Sequence, residues 1–537
     1  MTARTAKKKP LGSVAFVGAG PGDPGLLTAR ATELLASAEV VVVDQGSSAE
    51  ALAQRTCAEV EVIDATFGEN GQPLSQAARA RLVVRAAKSG QRVVRLLDGD
   101  GVTFSGAAEE MLACHKAGVP FEVVPGVSPA AAVPVYAGVP LSTRGTSAVH
   151  VVDTTGRISA PALTSSGDTL VLLGGPDDMV VASEVLVDAG RDPGDEIALT
   201  ERGTTTDQRT VVTTLGAVSA TLRAAGTSLA GPLVGVVGPG LDLRDRASWF
   251  ETKPLFGWRV LVPRTQQQSG PTVDRLAAYG AVSEVVPTIS VEPPRTPHQM
   301  EKAVKGLVTG RYEWIGFTSV NAVRAVREKF VEFGLDARAF SGLKVAAVGG
   351  VTAQALREWG IEPDLMPSGE QSAQGLLADW PPYDEVLDPI NRVFLPRADI
   401  ATDTLVAGLQ AGGWEVDDVT AYRTVRAAPP PASVRDAIKS GAFDAVVFTS
   451  SSTVRNLVGI AGKPHSSTVV ACIGPATAKT AEEHGLRVAV LAPEASGAAL
   501  VDALAEYGTG LRASALEAGE PVLRPSERKQ SARRKAR

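Results

Sequence analysis

Short apolar runs alternate with amphipathic stretches along the whole chain. SVAFVGAG at the start is followed by the helix-like LLTARATELLASA, and then by EVVVVD. A helical pattern around Gln76 to Lys88 leads into the run RVVRLL. Brief β-branched runs bounded by Gly, Pro and Asp read as strands, and apolar residues recurring every three or four positions read as helices. The βαβα rhythm predicts α/β layers on mainly parallel sheets.

Length makes one core insufficient. The chain has 537 residues, so two to four domains are expected. A break falls at RDRASWFETKPLFGW, charged and aromatic, immediately before the new strand RVLVPR. A second division is expected near Gly145, where STRGTSAVHVVDTTG leads into a fresh strand. Composition is ordinary for a globular protein, 44% apolar and 21% charged, and the formal charge of −6 gives no reason to expect nucleic acid as a partner. Three scattered cysteines and five scattered histidines point away from a disulfide framework or a metal cluster and toward a reducing, cytoplasmic setting. No apolar run is long enough to span a membrane, and the basic ends read as solvated tails.

The second half repeats itself. YEWIGFTSVNAVRAV is answered by FDAVVFTSSSTVRNLV, and VAAVGGVTAQALREWGIEPDLM by VVACIGPATAKTAEEHGLRVAVL. Ser319 and Ser450 stand 131 residues apart, Thr352 and Thr477 125 apart, which predicts two lobes of one architecture. The Pro-rich AYRTVRAAPPPASV reads as a connection between them. Each unit sets Thr-Ser or Gly-x-x-Thr between an apolar strand and a helix, and all four hydroxyls are expected to cap helices. Helix N-termini with free N–H groups suit carboxylate or phosphate, and in α/β sheets ligands bind at that edge. Ser319, Thr352, Ser450 and Thr477 are therefore candidates for binding a large polyanion. Any one of them alone could equally be a simple cap.

The segments WIGFTSVNAV, VAAVGGVTAQAL, VTAYRTV, DAVVFTSSSTV and IGPATAKTAEEHGL, in this order, resemble uroporphyrinogen-III synthase from about Gly257 to Leu511. The resemblance implies two α/β lobes, 257–290 plus 425–511 and 291–422, joined by a two-stranded linker. It implies hydroxymethylbilane, an octacarboxylate, as substrate. The reaction loses water, inverts the last pyrrole ring and closes the macrocycle without metal or organic cofactor. Tyr422 falls on the family's linker tyrosine, the candidate for helping the hydroxyl depart, or else a packing aromatic. Thr477 falls on a substrate-binding position.

VGAGPGDPGLLT is Gly-rich but places Asp23 where a dinucleotide fingerprint needs its third glycine, and lacks the Gly-Lys-Ser of a phosphate loop. Together with VVRLLDGDG, FEVVPGVSPAAAVPVYAGVPLSTRG, ERGTTTDQRTV and LRDRASWF it resembles uroporphyrinogen-III C-methyltransferase. The resemblance implies residues 12–250 in two lobes, about 12–145 and 146–245, with tails at 1–11 and 512–537. It implies S-adenosylmethionine as methyl donor, uroporphyrinogen III as acceptor, precorrin-2 as product and a homodimer. Pro21, Gly99, Asp100, Thr103, Ser128 and Gly203 fall on cofactor-contact positions, and Asp44 on a catalytic acidic position. Departures stand beside them. Asp98 and Gly101 replace Gly and Pro, Gly174 replaces a cofactor-lining methionine, and Glu69 falls in a Gly-Lys-Arg stretch, the wrong sign for an octacarboxylate. Arg144 is retained. The first half is thus an active methylase or a retained scaffold, regulatory or acting on another acceptor. A two-lobed binding protein without catalysis is the alternative for the second half.

Overall fold

The computed structural model describes residues 11–528, apart from 45, 48, 51, 54–59, 69, 104–105, 160–162 and 226–228. Glu69, residues 1–10 of the expected N-terminal tail and 529–537 of the C-terminal one lie outside the described residues. The chain divides into two compact units. One is built on the chain up to Trp258, with Leu276–Val282 and Gly508–Ser514. The other takes Arg259–Arg275, Ser283–Tyr507 and the chain from Ala515. Two short segments beyond the expected boundary thus cluster with the first unit.

The first unit holds two five-stranded sheets. Strands β1 (Ser13–Gly18), β2 (Val40–Val43), β3 (Glu61–Asp64), β4 (Arg92–Leu97) and β5 (Phe121–Val124) run in the order β3-β2-β4-β1-β5, every pair parallel. Alternation along β1 sorts its side chains onto two faces. Val14 and Phe16 pack with Val83 and Cys114, while Ala15 and Val17 pack with Ala31 and Leu35. Burial of each large side chain is worth about 1.5–3 kcal/mol, so the sheet is held from both sides.

The second sheet, β6 (Val149–Asp153), β7 (Thr169–Gly174), β8 (Glu196–Glu201), β9 (Arg209–Thr214) and β10 (Leu233–Val237), is ordered β6-β7-β10-β8-β9. Only β6 and β7 are parallel. The other three pairs are antiparallel, against the expectation of mainly parallel sheets: β10 runs against both β7 and β8, and the turn after Glu201 folds β9 back on β8 as a hairpin.

The second unit begins with β11 (Arg259–Val262) and β12 (Val282–Val285). Next come β13 (Ile289–Glu292), β14 (Trp314–Phe317), β15 (Lys344–Ala347), β16 (Arg392–Ala398) and β17 (Glu415–Arg426). β18 (Ala445–Phe448), β19 (Val469–Cys472) and β20 (Val488–Leu491) complete it. Its sheets are β12-β11-β18-β19-β20 and β13-β17-β16-β14-β15. The first draws on both ends of the unit, and the second lies wholly between them. β17 is 12 residues long, and its last part pairs antiparallel with β13, Ile289 opposite Arg426 and Glu292 opposite Arg423. The chain therefore leaves and re-enters the second sheet along one two-stranded ribbon. The helix Gly497–Glu517 continues past residue 511, so the expected C-terminal tail begins inside a helix with Ala515 buried.

Candidate functional sites

In the first sheet every strand is parallel, so the turns after β1, β2, β4 and β5 collect at one edge, where such sheets bind ligands. The backbones approach closely there. A Cβ on Gly18 would lie 2.4 Å from Gly126 N, and one on Gly126 would lie 2.4 Å from Gly99 O. Gly20 and Gly99 exchange backbone hydrogen bonds at 2.9 and 3.1 Å, both with positive φ. Gly101 adopts φ +77°, which proline cannot, so the turn differs from the Gly-Gly-Asp-Pro it replaces. Asp98 is occupied locally, accepting from Ala49 N at 2.8 Å.

Three candidates converge on one carboxylate. Asp100 Oδ1 accepts from Val102 N at 2.8 Å and Thr103 N at 2.6 Å, and the Thr103 and Ser128 hydroxyls also bond its side chain. Burial works to raise its pKa, but these four bonds outweigh burial and hold it below the ordinary carboxylate value. Ser128 stands at the N-cap of helix Pro129–Tyr136 without a side-chain cap bond. Pro21 lies in the adjoining turn, half-buried. Two residues on, Asp23 accepts from Tyr136 Oη at 2.8 Å, and its backbone N–H donates to Thr204 Oγ1 at 3.1 Å. Gly203 is held beside Thr204, and a Cβ there would lie 2.4 Å from Val133 Cγ2. Arg202 and Thr204, at φ +49° and +66°, are the non-glycine residues with left-handed backbone among those described. A β-branched residue in that region is strained.

Asp44 follows β2 and enters an ionic network that the sequence did not reveal. Arg95 Nη2 donates to Asp44 Oδ2 at 2.8 Å, while its Nε donates to Glu110 Oε2 at 3.0 Å. Arg95 is 1% exposed and takes a core position on β4 between Val93 and Leu97. Burial opposes its charge, but Glu110 and Asp44 prevail and hold the guanidinium above its ordinary value. Arg79 Nη1 lies 3.7 Å from Asp44 Oδ1, which is buried without a hydrogen-bond partner. Gly174 also has a structural account. A Cβ there would lie 2.0 Å from Thr154 Oγ1, which donates to Leu173 O at 2.9 Å. Thr154 thus fills the space into which a methionine at 174 would extend.

In the second unit, Ser319 and Ser450 cap helices Val320–Glu332 and Ser451–Ala461, accepting from Ala322 N and Thr453 N. The expectation fails for Thr352 and Thr477. Gly349 and Gly474 hold the cap positions, and the threonines sit buried at the third helical position, with no side-chain cap bond at either end. Extended glycine caps offer the first turns no side chain of their own, Gly350 N donating to Gln371 Oε1 at 3.1 Å instead, whereas the threonine side chains already lie within helical backbone.

The most informative contact joins two separately chosen residues. Tyr422 Oη and Ser319 Oγ lie 2.9 Å apart. A β-bulge places them so. Arg397 pairs with Thr420 but Ala398 with Tyr422, so one extra residue of β17 re-aims the tyrosine just before the ribbon. Beside it Arg397, 5% exposed, donates through Nε to Asp418 Oδ1 at 2.7 Å and through Nη1 to Thr402 O at 2.5 Å. Among the described residues no cluster could hold a metal ion, and no helix is long and apolar enough to cross a membrane.

Paired α/β lobes, glycine turns at a sheet edge and a tyrosine at the root of a two-stranded ribbon define a two-part α/β enzyme. Residues 13–219 match the family model of tetrapyrrole (corrin/porphyrin) methylases, and 271–502 that of uroporphyrinogen-III synthase HemD. The porphyrin biosynthesis protein HemD of Ruminiclostridium josui is 32% identical over 510 residues, covering 93% of this chain and 99% of its own. The chain belongs to that family, joining a tetrapyrrole methylase domain to a uroporphyrinogen-III synthase domain in tetrapyrrole biosynthesis. It also matches the siroheme synthase of Azotobacter vinelandii, 37% identical over 46% of this chain but spanning only 54% of that protein. Uroporphyrin III C-methyltransferase of Thermus thermophilus, a solved structure, is 32% identical over 43% of this chain and 99% of its own, with a TM-score of 0.37.

Proposed function

We propose that the second half converts hydroxymethylbilane to uroporphyrinogen III with inversion of the last ring. The 2.9 Å contact of Tyr422 with Ser319 carries this reading. It sets a phenol and a capped helix N-terminus side by side at one sheet edge. Tyr422 assists departure of the terminal hydroxyl with Ser319 beside it, while Thr352, Ser450 and Thr477 belong to the turns that receive the carboxylates. Helix N-termini favour such anions, and positioning of the flexible chain contributes as much as proton transfer.

The first half methylates that product with S-adenosylmethionine toward precorrin-2. Pro21, Gly99, Asp100, Thr103, Ser128 and Gly203 hold the methyl donor, whose sulfonium makes transfer to a pyrrole carbon feasible. The bare Gly20, Gly99 and Gly101 turns give it backbone to lie against, and the ionised Asp100 fixes the loop. Asp44, held by Arg95 at 2.8 Å, faces the acceptor. Thr154 filling the methionine position favours a second reading, in which this half binds the donor without transferring its methyl group. The protein works in the cytoplasm, as a homodimer through its first half. Product masses from hydroxymethylbilane, with and without S-adenosylmethionine under anaerobic reducing conditions, decide between these. Uroporphyrinogen III gaining one or two methyl groups supports both activities. Uroporphyrinogen III that never gains one leaves the synthase alone.

A further inference from the structure

The hydrogen-bond inventory around Ser319 leaves its hydroxyl hydrogen available to Tyr422. A serine hydroxyl has one hydrogen to give and two lone pairs to receive. Ser319 Oγ already receives Ala322 N–H at 3.2 Å as the cap of helix Val320–Glu332, a 13-residue helix whose positive end favours electron density on that oxygen. Its hydrogen remains to be given, and Tyr422 Oη lies 2.9 Å away. Tyr422 is pinned on the other side by its strand. Its carbonyl accepts from Asp399 N at 3.1 Å, and its ring is packed in the core with Phe317 and Ala421.

We propose that Ser319 is a positioning residue for Tyr422: it donates its hydroxyl hydrogen to the phenol oxygen, so that the phenol's own proton is directed to the departing hydroxyl of the substrate. The balance is simple. The C–O bond of the hydroxymethyl group breaks, the phenol proton leaves with the hydroxyl as water, and the carbon is left as part of an electron-poor azafulvenium cation. The phenolate is stabilised by Ser319 O–H and regains a proton lost from the pyrrole system at ring closure. Ser319 thereby acts through Tyr422 rather than as an anchor for carboxylates. This rests on the synthase reading above.

The test uses the full chain with hydroxymethylbilane, separating kcat from KM. Ser319→Ala should lower kcat about 10-fold and leave KM within about twofold, a small part of what general acids contribute. Ser319→Gly keeps a residue well tolerated at an N-cap and should lose as much. Ser319→Thr, which keeps the hydroxyl, should recover most of the rate. In a Tyr422→Phe background, removing the Ser319 hydroxyl should have no further effect, as expected for residues acting as a unit. A loss confined to KM, a threonine variant as slow as alanine, or full additivity with Tyr422→Phe would overturn the proposal. Failure of the underlying reading looks different, since the unsubstituted enzyme would then yield no inverted-ring product.

Discussion

The Tyr136 hydroxyl donates to Asp23 Oδ2 at 2.8 Å, tying the glycine-rich turn after β1 to the helix Pro129–Tyr136, 113 residues further on. That helix packs on the second sheet, Val133 lying with Val171 and Val236, so the bond ties a turn of the first sheet to a helix on the second. The same turn meets the strained Thr204 through Asp23 N.

Burial first, and then the hydrogen bond and charge of Asp23, push the Tyr136 phenol above its ordinary value. Tyr312 is pushed the same way by burial and by Asp417, to which it donates at 2.7 Å. An unfolded chain releases these protons near about pH 10 while the folded one keeps them. Above that pH the unfolded state binds fewer protons, so stability falls as pH rises. Urea midpoints between about pH 9 and 11 should fall with pH, less steeply in Tyr136→Phe and Tyr312→Phe.

Asp100 titrates on the acid side. Its folded pKa is held low, so its contribution is present above the unfolded carboxylate range near about 4 and is lost as pH falls through the folded value. Asp100→Ala should remove that acid-side slope and leave Thr103 N–H and the Ser128 hydroxyl without their acceptor. Calorimetric titration with S-adenosylmethionine should show affinity falling by at least about tenfold, the equivalent of one charged hydrogen bond.

Gly174 and Thr154 should behave as a coupled pair. Gly174→Ala brings Cβ to 2.0 Å from Thr154 Oγ1 and should cost about 1–3 kcal/mol, the range for overpacking. Thr154→Gly should relieve it, giving a non-additive thermal unfolding cycle. Gly174→Met with Thr154→Gly re-creates the methionine of the resembled family and should raise methyl transfer over the unsubstituted chain.

Arg95→Met should leave Glu110 buried and unpaired and release Asp44 from its 2.8 Å bond. Breaking a buried pair from one side costs about 3–5 kcal/mol. Arg95→Met with Glu110→Gln should recover much of that stability, but should not restore methyl transfer if Asp44 needs the cation. Denaturant unfolding and a methyl-transfer assay on the two variants separate the effects.

The sequence carried the strands and the turn chemistry well, because β-branched runs and glycine turns are local signals. RVVRLL reads as a strand and is one, and Gln76 to Lys88 is a helix over that whole span. Pairings across distance were not legible. Arg95 reads as a lone charge within an apolar strand until Glu110, on the following helix, comes to lie against it. Ser319 and Tyr422 were each singled out, but their contact spans 103 residues and depends on a bulge with no local signature. Gly-x-x-Thr was misread because the glycine, not the hydroxyl, takes the cap. The hairpin β8–β9 was missed because strand direction is set by connection, not by composition.

The split sheet of the second unit also has a consequence for synthesis on the ribosome. β11 pairs with β18, Val260 opposite Ala445, so the first strands of this sheet must wait until nearly the whole unit has been translated. Residues 289–426, which complete their own sheet without later sequence, can settle first. At roughly 5–20 residues per second the wait lasts on the order of ten seconds or more, during which the apolar β11 has β12 on one side and nothing on the side that β18 will take. The enclosed lobe thus gains a head start in folding, and a truncated chain ending before β18 would be expected to hold one folded lobe and a sticky overhang.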